Sequence, residues 1–233
     1  MLPDPDAAVL WAWGPFRLNV TLAMTWALMA VLSAGSWLVT RRIRVREEPS
    51  RWQLLLELVV EQMRSQVREA GAEDPDPYLA FVGTLFLFIA GASVLGIVPG
   101  YTPPTVSLST TAALAAAVFV AIPAFAIAVR GGKEYLRDYV RPTPLMLPFH
   151  VVGEFSRILA LAVRLFGNIM SGQLIVGIVL SIVPFLFPAV LHGFGLLIGL
   201  IQAYVFGMLA LVYVLSAVRS HRARQPSERG GSS

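Results

Sequence analysis

Three long stretches of this chain are nearly empty of charge. Residues 18–40 and 78–129 contain no Asp, Glu, Lys or Arg, and residues 142–218 contain only Glu154, Arg157 and Arg164. A helix rising about 1.5 Å per residue needs about 20 apolar residues to cross the hydrocarbon of a bilayer, so these stretches read as membrane spans. With 56% of its 233 residues apolar and 14% charged, the chain is not an ordinary soluble globule. It has no cysteine, which excludes disulfides, thiolate chemistry and cysteine-held metal. The pI near 9.8 is high enough for a nucleic-acid binder, but the cations flank apolar spans and do not form a face with aromatic readers. Nucleic acid is therefore not an expected partner, and the cations read as topology signals.

The expected fold class is an all-α integral membrane protein. It has about five membrane helices, two of them long and tilted, and one amphipathic helix on the cytoplasmic surface. Residues 1–17 form an external N-terminal segment. Asp4 and Asp6 there outweigh the single cation Arg17, so the positive start of a secretory signal is missing and the segment stays in the mature protein. The first span, 18–40, stops at the cluster Arg41, Arg42, Arg44 and Arg46, which should face the cytoplasm. Residues 50–71 form the amphipathic helix. Trp52, Leu55, Leu56, Val59, Val60 and Met63 fall on one side and Arg51, Glu57, Glu61, Arg64 and Arg68 elsewhere.

The turn Glu73-Asp74-Pro75-Asp76-Pro77 breaks that helix before the second span, 78–98. After a short uncharged loop, the third span, 105–129, returns to Arg130, Lys133, Arg137 and Arg141. Residues 146–219 are too long for two upright helices and are divided at Pro184 and Pro188; two tilted helices absorb the excess length. Residues 220–233 read as a flexible cytoplasmic tail. With this topology 15 of the 18 cations lie on one side, placing the N-terminus outside and the C-terminus in the cytoplasm.

The charges left inside the long apolar region carry the chemistry. A central arginine in a membrane helix costs about 2.5–3.5 kcal/mol on insertion scales, so Arg164 needs a reason. Steps of three and four residues connect Glu154, Arg157, Leu161, Arg164, Asn168 and Ser171 into one stripe, which implies helix pairing or a hydrated path. Glu154 lies about 15 Å from Arg164 along the axis, so the arginine's counter-ion is expected from another chain. The bland alternative is that Arg164 snorkels or pairs structurally.

Gln202 alone reads more readily as interhelical glue. Gly195, Gly199 and Gln202 share a face that should pack tightly, and Tyr213 and Ser216 continue it toward the cytoplasm. His192, near the outer end, reads as a titratable access group or as a satisfied polar cap.

The run Arg164-Leu165-Phe166-Gly167-Asn168, preceded by Gly153-Glu154-Phe155-Ser156-Arg157 and followed by Gly172, closely resembles the core of subunit a of rotary F-type ATP synthases. The resemblance extends to Gln202, Tyr213, Pro148-Phe149-His150 and the Thr-Thr-Ala-Ala-Leu start of the third span, and covers nearly the whole chain. It implies a non-catalytic stator subunit in the bacterial inner membrane, working with a rotor ring of c subunits that carry intramembrane carboxylates and with peripheral-stalk b subunits. No cofactor or resident metal is implied. Neither is ATP binding, since no phosphate-cradling glycine loop is present.

Arginine stays protonated at any accessible pH. In such a machine it favours the ionised ring carboxylate and forces release of the bound ion as each ring subunit passes. Two aqueous half-channels end near it from opposite sides. By resemblance Arg164, Asn168 and Gln202 form the translocation core, and Glu154, Ser171, Gln173, His192, Ser107, Ser109 and Tyr213 line the half-channels.

Four positions depart from the family pattern. Gln173 stands where the family commonly has a glutamate, Gly195 where it has a histidine or acid, and Ser107 and Ser109 where an Asp and an Asn often open the third span. Neutral oxygens suit a hydrated Na⁺ path at least as well as a proton relay. H⁺ is the default ion by family frequency, with Na⁺ as the alternative. A stand-alone transporter holding an anionic substrate on Arg164 would instead favour inverted repeats and broken helices, and neither is found in the sequence.

Overall fold

The computed structural model describes residues 9–13, 16–42, 51–72, 74–98, 101, 103–133, 147–182 and 187–219. The expectations for Asp4, Asp6, Arg44, Arg46, Glu73, Arg137, Arg141, Pro184 and the tail 220–233 lie outside these residues. Two short strands, β1 (Val9–Trp13) and β2 (Phe16–Asn19), pair antiparallel with an irregularity between Val9 and Trp11. They form a hairpin that begins in the segment expected to lie outside and takes Leu18 and Asn19 from the expected first span. The rest is helical: α1 (Val20–Arg42), α2 (Arg51–Glu69), α3 (Asp76–Leu95), a 3-10 turn (Pro104–Val106), α4 (Leu108–Arg130), α5 (Leu147–Ile182) and α6 (Phe187–Arg219). All of these helices except α2 are long and apolar enough to cross a membrane.

Local chemistry sets the ends. α2 closes where Gly71 takes φ +90°, a backbone that L side chains rarely adopt, while the Ala72 amide bonds the Val67 carbonyl. α3 starts two residues earlier than the proline-rich turn suggests, because a proline has no amide to lose in the first helical turn and Pro77 fits there. Asp76 in that turn meets the positive end of the helix dipole and receives a 2.8 Å salt bridge from Arg64 of α2. α4 starts at Leu108, not at Thr105, because Ser107 is extended and Thr105 belongs to the 3-10 turn. It continues through Pro123 and ends at Gly131, with φ +88°.

The core lies where α3, α4, α5 and α6 meet, around the buried side chains of Ile89, Val118, Leu161, Leu165, Phe206 and Leu211. Phe125 of α4 packs its ring against Tyr78 and Phe81 of α3, with centroids 5.3 and 5.8 Å apart. The α3–α6 seam is closer still. A methyl on Gly199 would sit 2.3 Å from Ser93 Oγ, and one on Gly207 would sit 3.3 Å from Val82 Cγ1. Met63 and Val67 of α2 pack onto this core. Leu58, Val59 and Val60 stay exposed, so the apolar side of α2 is only partly covered within the chain.

Candidate functional site

The faces of α5 differ sharply. Ile158, Leu161, Ala162 and Leu165 are buried toward α4 and α6, while Arg157, Leu159, Val163, Arg164, Gly167 and Asn168 are exposed. Leu161 was expected on the stripe with Arg164 but is 1% exposed. The polar stripe is therefore narrower than the helical step suggested, and Glu154 at its start is half-buried. No described element covers this face. Methyl groups on Gly153 and Gly167 would each meet nothing within 4 Å. Among the described residues Arg164 makes no ion pair.

One turn along α5 from Arg164, Asn168 Nδ2 donates to Gln202 Oε1 at 2.6 Å, tying α5 to α6. Gln202 is 4% exposed and its Nε2 has no partner; the bond also leaves Asn168 Oδ1 for other partners. Ser171 Oγ donates to the Asn168 carbonyl at 3.1 Å, so this hydroxyl is used within its own helix. Toward the end of α5 near Glu154, the Arg157 guanidinium lies 5.9 Å from the centre of the Tyr213 ring, within cation–π range. Tyr213 thus joins α6 to α5 beside Glu154. Arg157, which the sequence treated only as part of the stripe, is its direct partner.

A cavity of about 140 Å³ opens on the other side of Asn168, between the last turn of α3, the 3-10 turn, α5 and the start of α6. Its walls bring together Asn168, Gln173 and His192 of the expected residues, along with Gly195, Ser93 and Thr105. Among the described residues no Asp or Glu lines it. His192 is half-buried on this wall. Gly195 was expected to pack tightly with Gly199 but meets nothing within 4 Å. The two glycines are one turn apart, yet Gly199 abuts α3 and Gly195 borders the cavity. Ser107 is buried at 2% exposure and Ser109 is exposed; both engage neighbours, and neither lines the cavity.

Thr105, two residues before Ser107, does line the cavity. It is 1% exposed and its hydroxyl has no partner. Nearby, Tyr101 Oη is also buried and unpartnered, and burial pushes its phenol above the usual value, keeping it neutral.

A second cavity, of about 270 Å³, separates α2 from α3 and α6. At its edge the Tyr204 hydroxyl donates to Gln66 Oε1, fixing α2 to α6 two residues from Gln202.

Comparison with known proteins adds independent findings. A family described as ATP synthase A chain matches residues 22–215. The chain is similar to ATP synthase subunit a of Albidiferax ferrireducens, with 53% identity over 227 residues, covering 97% of this chain and 98% of that one. It is also similar to ATP synthase subunit a 2 of Acaryochloris marina, with 51% identity over 96% of this chain and 97% of that one. Its likeness to ATP synthase subunit a 1 of Chlorobaculum parvum is 53% identity over 92% and 95%.

Proposed function

This chain belongs to the ATP synthase A chain family, whose members are non-catalytic membrane subunits of that complex, and on that premise we propose that Arg164 is the fixed charge past which a rotor ring turns. The observation that carries the reading is the exposure of Arg164 on a face of α5 that no described element covers. An arginine there needs a carboxylate, and a ring of c subunits supplies one after another. The guanidinium holds each carboxylate ionised, so a ring subunit gives up its ion on one side before meeting the arginine and gains one on the other side after leaving it. A fixed cation between two access paths also opposes a direct ion leak.

The two paths start from different chemistry. The cavity ending at Asn168 serves the outer side, with Gln173 and His192 on its wall. The group Glu154, Arg157 and Tyr213 serves the cytoplasmic side. The Asn168–Gln202 bond fixes the spacing of α5 and α6 beside Arg164, so Gln202 positions the site and Asn168 lines it. The peripheral-stalk b subunits are the further partners, and the exposed apolar side of α2 suits a neighbouring helix. The cluster after α1 and the cations after α4 and α6 support a cytoplasmic C-terminus and an outer N-terminus in a bacterial inner membrane.

H⁺ is the coupling ion by family frequency. The outer cavity supports a second reading, Na⁺, because its lining offers Ser, Thr, Asn and Gln oxygens and no carboxylate.

The deciding experiment is Arg164→Ala in the assembled synthase. ATP-driven ion uptake into inverted vesicles is expected to fall to background while the subunit stays in the complex. Uptake at the wild-type rate would overturn the stator reading. Measuring wild-type uptake with and without Na⁺ decides between the ions.

A further inference from the structure

We propose that Thr105 is an ion ligand of the outer cavity, its hydroxyl acting with Asn168 Oδ1 and the Gln173 amide to hold a partly dehydrated Na⁺ on its way to Arg164. The inference rests on the stator reading and on its Na⁺ form.

Thr105 sits in the 3-10 turn Pro104–Val106, just after Pro103 and before the start of α4. The prolines fix φ and remove amide donors, so the turn is stiff and holds its side chains in one arrangement. Pro104, Thr105 and Val106 are all buried. Burying a hydroxyl without a partner costs stability. Valine would fill the same space without that cost, so a threonine here needs a ligand to account for it.

Thr105 is one of the residues that line the cavity, and its Oγ1 is buried without a hydrogen-bond partner, the residue being 1% exposed. Thr111 is a useful contrast. It is equally buried, but its hydroxyl bonds the carbonyls of Ser107 and Leu108. Ser93, on the same cavity wall, likewise uses its hydroxyl on the Ile89 carbonyl at 2.9 Å.

The open groups of the cavity suit a hard cation. Asn168 spends its amide nitrogen on Gln202 Oε1, which leaves its oxygen for a ligand. Gln173 adds an exposed side chain to the wall. Neutral hydroxyl and amide oxygens replace part of the hydration shell of a small hard cation, and a volume of about 140 Å³ leaves room for several waters to complete it. Without a carboxylate in the lining the ion is held weakly enough to leave. It can then pass to the ring carboxylate, which is the stronger ligand.

The test uses the whole synthase in proteoliposomes, with ATP synthesis driven by a Na⁺ gradient plus membrane potential and the Na⁺ concentration varied on the side facing the cavity. Thr105→Val keeps the shape and removes the oxygen; Thr105→Ser keeps the oxygen. Thr105→Val is expected to raise the half-saturating Na⁺ concentration about fivefold, the scale of one lost polar contact, with the maximal rate nearly retained. Thr105→Ser should stay within about twofold of wild type. A purely structural threonine would not move the half-saturation. Unchanged half-saturation in Thr105→Val overturns the proposal, as does wild-type synthesis that runs on a pH gradient with no dependence on Na⁺. Arg164→Ala, run in parallel, should give no synthesis at any Na⁺ concentration. Synthesis by that variant would overturn the stator reading instead, so the two failures are distinguishable.

Discussion

The α3–α6 seam and the outward face of α5 are both built with glycine, and they use it for opposite ends. At the seam, Gly199 and Gly207 let two helices approach until a single methyl would collide with Ser93 or touch Val82. On α5, methyls at Gly153 and Gly167 would meet nothing. The most apolar part of α6 is 39% buried and that of α3 is 33% buried, against 6% for α5, although α5 is nearly as hydrophobic. One seam is completed by the chain itself. The other is a face that no described element completes, and Arg164 stands in it.

The contrast can be broken by adding the same methyl on each side. Gly199→Ala forces Ser93 Cβ, which would lie 2.6 Å away and cannot swing clear of its backbone, so the helices must part. Overpacking of this kind costs about 1–3 kcal/mol. Thermal unfolding of the purified subunit in detergent should occur several degrees lower, and Ser93→Gly in the same chain should restore most of the loss. Gly153→Ala should leave the unfolding temperature unchanged or slightly raised, since alanine is the better helix former. Equal effects at the two positions would remove the distinction between the seams.

A smaller effect sharpens the comparison where the two regions join. Gln202→Leu removes the Asn168 bond but also removes a buried amide nitrogen that has no partner, so the fold should hold. Coupled ion uptake should fall about fivefold, the scale of one hydrogen bond, and far less than for Arg164→Ala. Wild-type uptake would mean that the link does not position the site.

The two regions were unequally legible in the sequence. The membrane helices follow from absent charge, and α2 follows from its periodicity, because both patterns are local. The exposure of the Arg164 face was expected from its polar stripe, but Leu161 shows the limit: a step of three residues along a helix leaves neighbours about 60° apart, enough to put one in the core and the other outside. The split between Gly195 and Gly199 depends on where α3 ends, which no sequence periodicity records. Thr105 was not read as a site residue because it reaches the cavity only through the packing of the 3-10 turn against α5. The hairpin of β1 and β2 was missed because each strand is too short to establish an alternating pattern.

On the proposed function, the uncovered face of α5 lies against the rotor ring. Because the chain contains no cysteine, single cysteines can report this directly in the assembled synthase. Val163→Cys, on the exposed face beside Arg164, and Ala203→Cys, fully buried in the core, would each be oxidised in membranes whose ring subunits carry one cysteine near the carboxylate. A disulfide-linked adduct with the ring subunit is expected from position 163 and none from position 203. An assembled, active synthase giving no adduct from position 163, or an adduct only from position 203, would contradict it.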